Sequence, residues 1–193
     1  MTSAAQADSF KIPERFFGDL CDEFYTAVGQ ITNLSALLEG HLIDLYQALA
    51  NLQQDEGSQM AASDLCAKAQ AEVRRLLADD LLGVGAAGAL QEYLNAAESA
   101  LKARNVYVHN KWSAKPDGAI YGWRPGRHGR VSDSARQKGI QEVGISKWYT
   151  EDASRITICD VQAVVGSLIE LNRRWPRIYS LVSGRRHAQR ISE

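Results

Sequence analysis

From Phe16 onward, apolar residues recur at steps of mostly three and four: Phe16, Phe17, Leu20, Phe24, Val28, Ile31, Leu34, Leu38, Leu42, Leu45 and Leu49. That period places one apolar stripe along a helix. Pro13 suits the first helical turn. The stripe reads as one helix of about forty residues, or as two that break near Gly29 or Gly40. A glycine inside a helix costs about 1 kcal/mol relative to alanine, so each is expected to allow close packing or a slight bend. Residues 53–60 are polar and read as a loop. Ser63 is a candidate N-cap for a short helix through Leu77, with Leu65, Ala69, Val73 and Leu76 on one face. A turn over residues 81–85 leads to a third helix, from Ala87 to about Trp112.

The pattern then changes. Lys115-Pro116-Asp117-Gly118 is a turn signal, and glycines and aromatics follow, among them Tyr121, Gly122, Trp123, Gly126 and Gly129. Short strands around 119–123 and 143–150 are expected to form a hairpin or an irregular flap with a basic loop between them. Asp160 is the candidate start of the last helix, with Val161, Val164, Val165, Leu168, Ile169, Leu171 and Trp175 apolar, and Pro176 should kink or end it. The expected fold is therefore all-α: an up-and-down bundle of about four main helices with a small β-hairpin or flap inserted before the last one. In domain terms, 1–9 is a disordered leader, 10–183 a single helical domain with an insertion over 113–157, and 184–193 a short, basic, mobile tail.

A chain of 193 residues with 45% apolar and 23% charged positions is an ordinary globular composition, long enough to bury a core. No apolar run approaches the roughly 20 residues of a membrane span. The polar start of the chain has no secretory pattern, and Cys21, Cys66 and Cys159 fit neither a zinc spacing nor a disulfide framework. A cytoplasmic protein with reduced thiols, without metal or cofactor, is the expectation. The net charge of −1 hides an asymmetry: residues 1–100 hold 15 acidic and 5 basic side chains, and residues 101–193 hold 8 and 17. The basic half suits a polyanion such as RNA. Alternatively, the two halves neutralise each other within the fold or across a dimer.

That basic half opens with Arg104-Asn105-Val106-Tyr107-Val108-His109, closing the third helical segment and followed by Asn110-Lys111-Trp112. Arginine offers a planar, permanently charged fork that grips phosphate oxygens in pairs. Histidine titrates nearest neutral pH. Together they can hold a phosphodiester and move a proton on it without a metal, which points to RNA cleavage. The spacing alone is weak, arising by chance roughly 0.3 times in a chain with this many Arg and His.

Arg104, the polar Asn105 and His109, on a helical segment of a helical chain, resemble the signature of the HEPN superfamily, small all-α bundles in which a polar residue follows the arginine and the histidine lies four to six residues on. The resemblance extends more loosely to the first and last helices. It implies a metal-independent endoribonuclease, acting as a toxin or antiviral defence effector, whose two-fold homodimer brings two copies of the motif to one cleft. A partner such as an antitoxin or other regulatory protein is implied as well. Some members carry a tyrosine two residues after the histidine and use it in a nucleotide-modification switch. Lys111 stands there in this chain, so the resemblance does not carry that regulation across.

In this reading Arg104 and His109 are catalytic and Asn105 orients His109 or contacts phosphate. Lys102, Lys111, Arg124 and Arg127 are candidate RNA contacts, and Glu39 and Tyr107 candidate supporting residues. Five residues along an ideal helix rotate by about 140°, so Arg104 and His109 share a face only if the helix ends or distorts, or if a second copy completes the site. The competing readings give these residues other work. His109 can serve as a cation at the helix terminus, and Arg104 can bridge to Glu98 or Glu39. Glu39 and His41 can simply be surface residues. The endoribonuclease is the leading reading, and a catalytically inactive scaffold, an RNA- or nucleotide-binding module and a regulatory helical protein are the alternatives.

Overall fold

The computed structural model describes residues 20–52, 60–109, 111–114, 120–123 and 154–190. It is an all-α, up-and-down bundle with a small antiparallel sheet before the last helix. The helices are α1 (Asp22–Ala50), α2 (Ala62–Ala78), α3 (Val84–His109) and α4 (Ile158–Arg190), and the strands are β1 (Lys111–Ala114), β2 (Ile120–Trp123) and β3 (Ser154–Ile156). None of the described helices is long and apolar enough to cross a membrane.

The chain divides into two compact units, Ala27–Val108 with Gln162–Glu193, and Met1–Thr26 with His109–Val161. In the first, α1 buries Ile31, Leu38, Leu42, Leu45 and Leu49, and α2 buries Leu65, Cys66, Ala69, Val73 and Leu76. From α3 come Leu90, Tyr93, Leu94, Ala97 and Leu101, and from α4 Val165, Leu168, Leu171, Ile178 and Val182. Each fully buried Leu, Ile or Val among them stabilises by roughly 1.5–3 kcal/mol, and the alanines by less. Polar ties fix neighbours: Gln70 of α2 donates to Asn95 of α3 at 3.0 Å, and Arg174 of α4 meets Glu92 of α3 at 2.9 Å. Asn172 donates to the Leu34 carbonyl of α1 at 3.1 Å.

In the second unit the strand order is β1-β2-β3, with Trp112 opposite Gly122 and Ile120 opposite Ile156. Trp112 and Ile120 are buried, and the Trp112 ring meets Phe24 edge-on at 5.5 Å.

Several boundaries differ from the expectations. The α1 helix runs unbroken through Gly29 and Gly40, and a Cβ added at either would have nothing within 4 Å, so neither glycine permits close packing. Ala61, not Ser63, is the N-cap of α2, and it makes no side-chain cap bond. Both α1 and α2 are followed by a left-handed residue, Asn51 and Asp80, each at φ 55°, a conformation Asn and Asp tolerate best among non-glycine residues. The third helix stops at His109 rather than Trp112, because Trp112 is drawn into β1 and packs on Phe24. The hairpin becomes a three-stranded sheet: β2 falls where a strand was expected, between β1 and β3, while 143–150 lies outside the described residues.

The last helix begins two residues before Asp160. Thr157 and Asp160 cap it reciprocally, the Asp160 carboxylate accepting from the Thr157 N–H at 2.7 Å and the Asp160 N–H donating to Thr157 Oγ1 at 3.3 Å. Pro176 does not end α4, which continues to Arg190 and takes up most of the stretch read as a tail. Residues 1–9 lie outside the described set.

Candidate functional site

Arg104 projects from α3 toward α1, and the geometry there follows from helical spacing. Ser35 and Glu39 are four residues apart, one above the other on one face of α1. Ser35 is buried, only 1% exposed, and its hydroxyl donates to the Thr32 carbonyl at 3.0 Å. The oxygen is thereby free to accept from Arg104 Nε, at 3.1 Å. One turn on, the Glu39 carboxylate pairs with Arg104 Nη2. The remaining nitrogen, Nη1, donates to Asn105 Oδ1 at 3.0 Å. All three guanidinium nitrogens therefore meet an acceptor, which is what a cation only 18% exposed requires.

Beside this cluster lies a cavity of about 210 Å³. Its polar lining comprises Glu39, Ser63, Cys66, Glu98, Lys102, Arg104 and Asn105. Lys102 Nζ is 2.6 Å from Glu98 on an exposed turn of α3. The hydrogen bond from Lys102 holds the Glu98 carboxyl below its usual range. Burial pushes the Cys66 thiol up to about 11, and the Glu98 charge adds to that, so this sulfur stays protonated at neutral pH and is a poor nucleophile. The lining carries two cations and two carboxylates, and the structure pairs them off.

The candidate residues thus separate. Arg104, Asn105 and Glu39 come together at the cleft, with Lys102 on its rim. His109 is the last residue of α3 and is exposed, so the helix ends at the motif's histidine. Tyr107 lies in the last turn of α3 and is buried. Lys111 belongs to β1, its side chain outside the described residues, as are Arg124 and Arg127. The surface reading of Glu39 and His41 is corrected. Glu39 meets Arg104, and the half-buried His41 ring stacks on Trp175 of α4, centroids 4.4 Å apart and planes within 7°. Burial holds the His41 imidazole below its ordinary value, against a smaller opposing pull from Asp44.

Ser35 escaped the sequence reading, and Ser63 and Cys66 were read there as a helix cap and a reduced thiol rather than as part of the site. Ser35 left one signal: a polar residue inside an apolar helical face, one turn before Glu39. Comparison of the chain with protein-family models, with curated proteins and with solved structures finds no match.

Proposed function

We propose that this protein is a metal-independent endoribonuclease of the HEPN type, acting in the cytoplasm as a homodimer, in a toxin or antiviral defence role. The observation that carries the reading is the pre-aimed Arg104 fork. It is held by Ser35 and Asn105 at the mouth of a cleft, on a helix that ends at an exposed His109.

RNA carries its own nucleophile. In the proposed step the 2′-oxygen forms a bond to phosphorus, the bond to the 5′-oxygen breaks, and the product ends are a 2′,3′-cyclic phosphate and a 5′-hydroxyl. His109 takes the 2′-proton or supplies one to the leaving oxygen, a role typically worth 10²- to 10⁴-fold. Arg104 stabilises charge gathering on the non-bridging oxygens. One imidazole cannot act as base and acid in the same instant, and a two-fold dimer supplies the second.

A second reading is a catalytically inactive HEPN-like module that binds RNA, nucleotides or a partner protein. It is favoured by the engagement of Arg104 with three acceptors of its own chain. Incubating mixed RNA with the wild-type protein and with His109→Ala, in excess chelator, separates the two. Cyclic-phosphate ends in the wild-type reaction, reduced at least hundredfold by the substitution, are the expected result. Absence of cutting by both proteins would favour the inactive module.

A further inference from the structure

Two cations line the cleft, and the chain supplies each with a carboxylate: Glu98 at Lys102 and Glu39 at Arg104. The Arg104 arrangement is the more specific. A guanidinium holds a phosphate best through two parallel N–H groups on one edge. On Arg104 the edge formed by Nε and Nη2 already carries two oxygens, Ser35 Oγ and the Glu39 carboxylate, delivered one turn apart by α1.

We propose that Glu39 occupies the place of a ligand phosphate on Arg104, so that binding a phosphate ester in this cleft exchanges one anion for the other and Glu39 sets the affinity. This rests on the reading of Arg104 as a phosphate ligand. The two acceptors are unequally held. Ser35 is buried and tied to the Thr32 carbonyl, so it keeps the fork aimed throughout. Glu39 is 35% exposed, which screens its attraction to Arg104 and leaves its carboxylate a route to water. The adjoining cavity of about 210 Å³ gives an incoming phosphate room. Ser35 stays on Nε and Asn105 on Nη1, so the exchange takes place at Nη2 alone.

The test is calorimetric titration of inorganic phosphate, and of a nucleoside 3′-monophosphate, into the full chain. Glu39→Gln keeps the shape and removes the competing charge, and its dissociation constant should fall about two- to fivefold, the order of one partly exposed ion pair. Glu72→Gln, which removes a carboxylate paired to Arg75 on α2, controls for net charge and should leave the affinity unchanged. The gain should vanish in the Glu39→Gln/Arg104→Ala double variant.

An affinity that is unchanged or weaker in Glu39→Gln would show the carboxylate to be a brace rather than an occupant and would overturn the proposal. So would a gain that survives loss of Arg104, or an equal gain in Glu72→Gln. Should Glu39→Gln fail to fold, Glu39→Asp carries the same test: it withdraws the carboxylate by one methylene, a smaller gain is expected, and none would overturn the exchange. Tighter phosphate binding by Glu39→Gln without RNA cleavage by any form would sink the nuclease reading and leave the exchange standing. Cleavage with unaltered phosphate affinity would do the reverse.

Discussion

A cation that is mostly out of water needs acceptors for its N–H groups, and Arg104 finds three within two turns of α1 and its own neighbour. His41, two residues from Glu39, meets a different problem. Its Nδ1 is buried with no hydrogen-bond partner among the described residues, and its ring lies flat against Trp175. A proton added there would charge a group whose burial already holds its proton affinity below the ordinary value. The sign for stability follows. The unfolded chain protonates His41 first, near the usual histidine value of about 6.5, while the folded chain resists. Stability is therefore whole above that value and declines as pH falls from it toward the folded-state value. The urea midpoint should drop between pH 8 and pH 5 in the wild-type protein and drop less in His41→Gln. Equal drops in both would assign the effect to other groups.

At the scale of elements, the stripes on α1 and α2 were legible because burial on one face leaves a period that composition does not blur. Helix ends were less so. Pro176 was expected to kink or end α4, since it removes one backbone hydrogen bond and crowds the preceding turn, at a cost of about 3 kcal/mol. The helix continues because Ile178 and Val182 lie beyond the proline and are buried, and each is worth roughly 1.5–3 kcal/mol. Those contacts come from tertiary packing and leave no local mark. The glycines of α1 give the opposite lesson. Gly29 and Gly40 face open space inside a continuous helix, so their backbone freedom weakens α1 with no packing return. Gly29→Ala and Gly40→Ala should each stabilise by about 0.5–1 kcal/mol. In a chain of this size that is on the order of 2–4 °C of Tm per kcal/mol, read by calorimetry. A fall in Tm for either variant would mean that α1 needs the glycine to bend.

Across the whole molecule, the charge asymmetry and the site are one question. Three described ion pairs, Arg104–Glu39, Lys102–Glu98 and Arg174–Glu92, each join a cation from residues 101–193 to a carboxylate from residues 1–100. Two of these pairs join residues far apart in sequence, whereas Lys102–Glu98 spans a single turn of α3. Glu39 was legible as a partner for Arg104 because opposite charges invite the guess. Ser35 was not, since an uncharged hydroxyl on a buried face is placed only by the packing of α3 on α1. Internal pairing also limits what the basic half can offer to RNA. For a single strand, the logarithm of affinity falls with the logarithm of salt at about −0.7 per phosphate neutralised. A cleft whose cations must first leave their own carboxylates should engage only about two or three phosphates, giving a slope near −1.5 to −2 by fluorescence anisotropy. A DNA strand of the same sequence should bind with a similar slope and remain uncut, because the charges are shared and the 2′-hydroxyl is not. A slope near zero would remove polyanion binding altogether. One steeper than about −5 would place the main RNA contacts on cations that no carboxylate of the chain holds, and the Arg104 cleft would then be at most a small part of the interface.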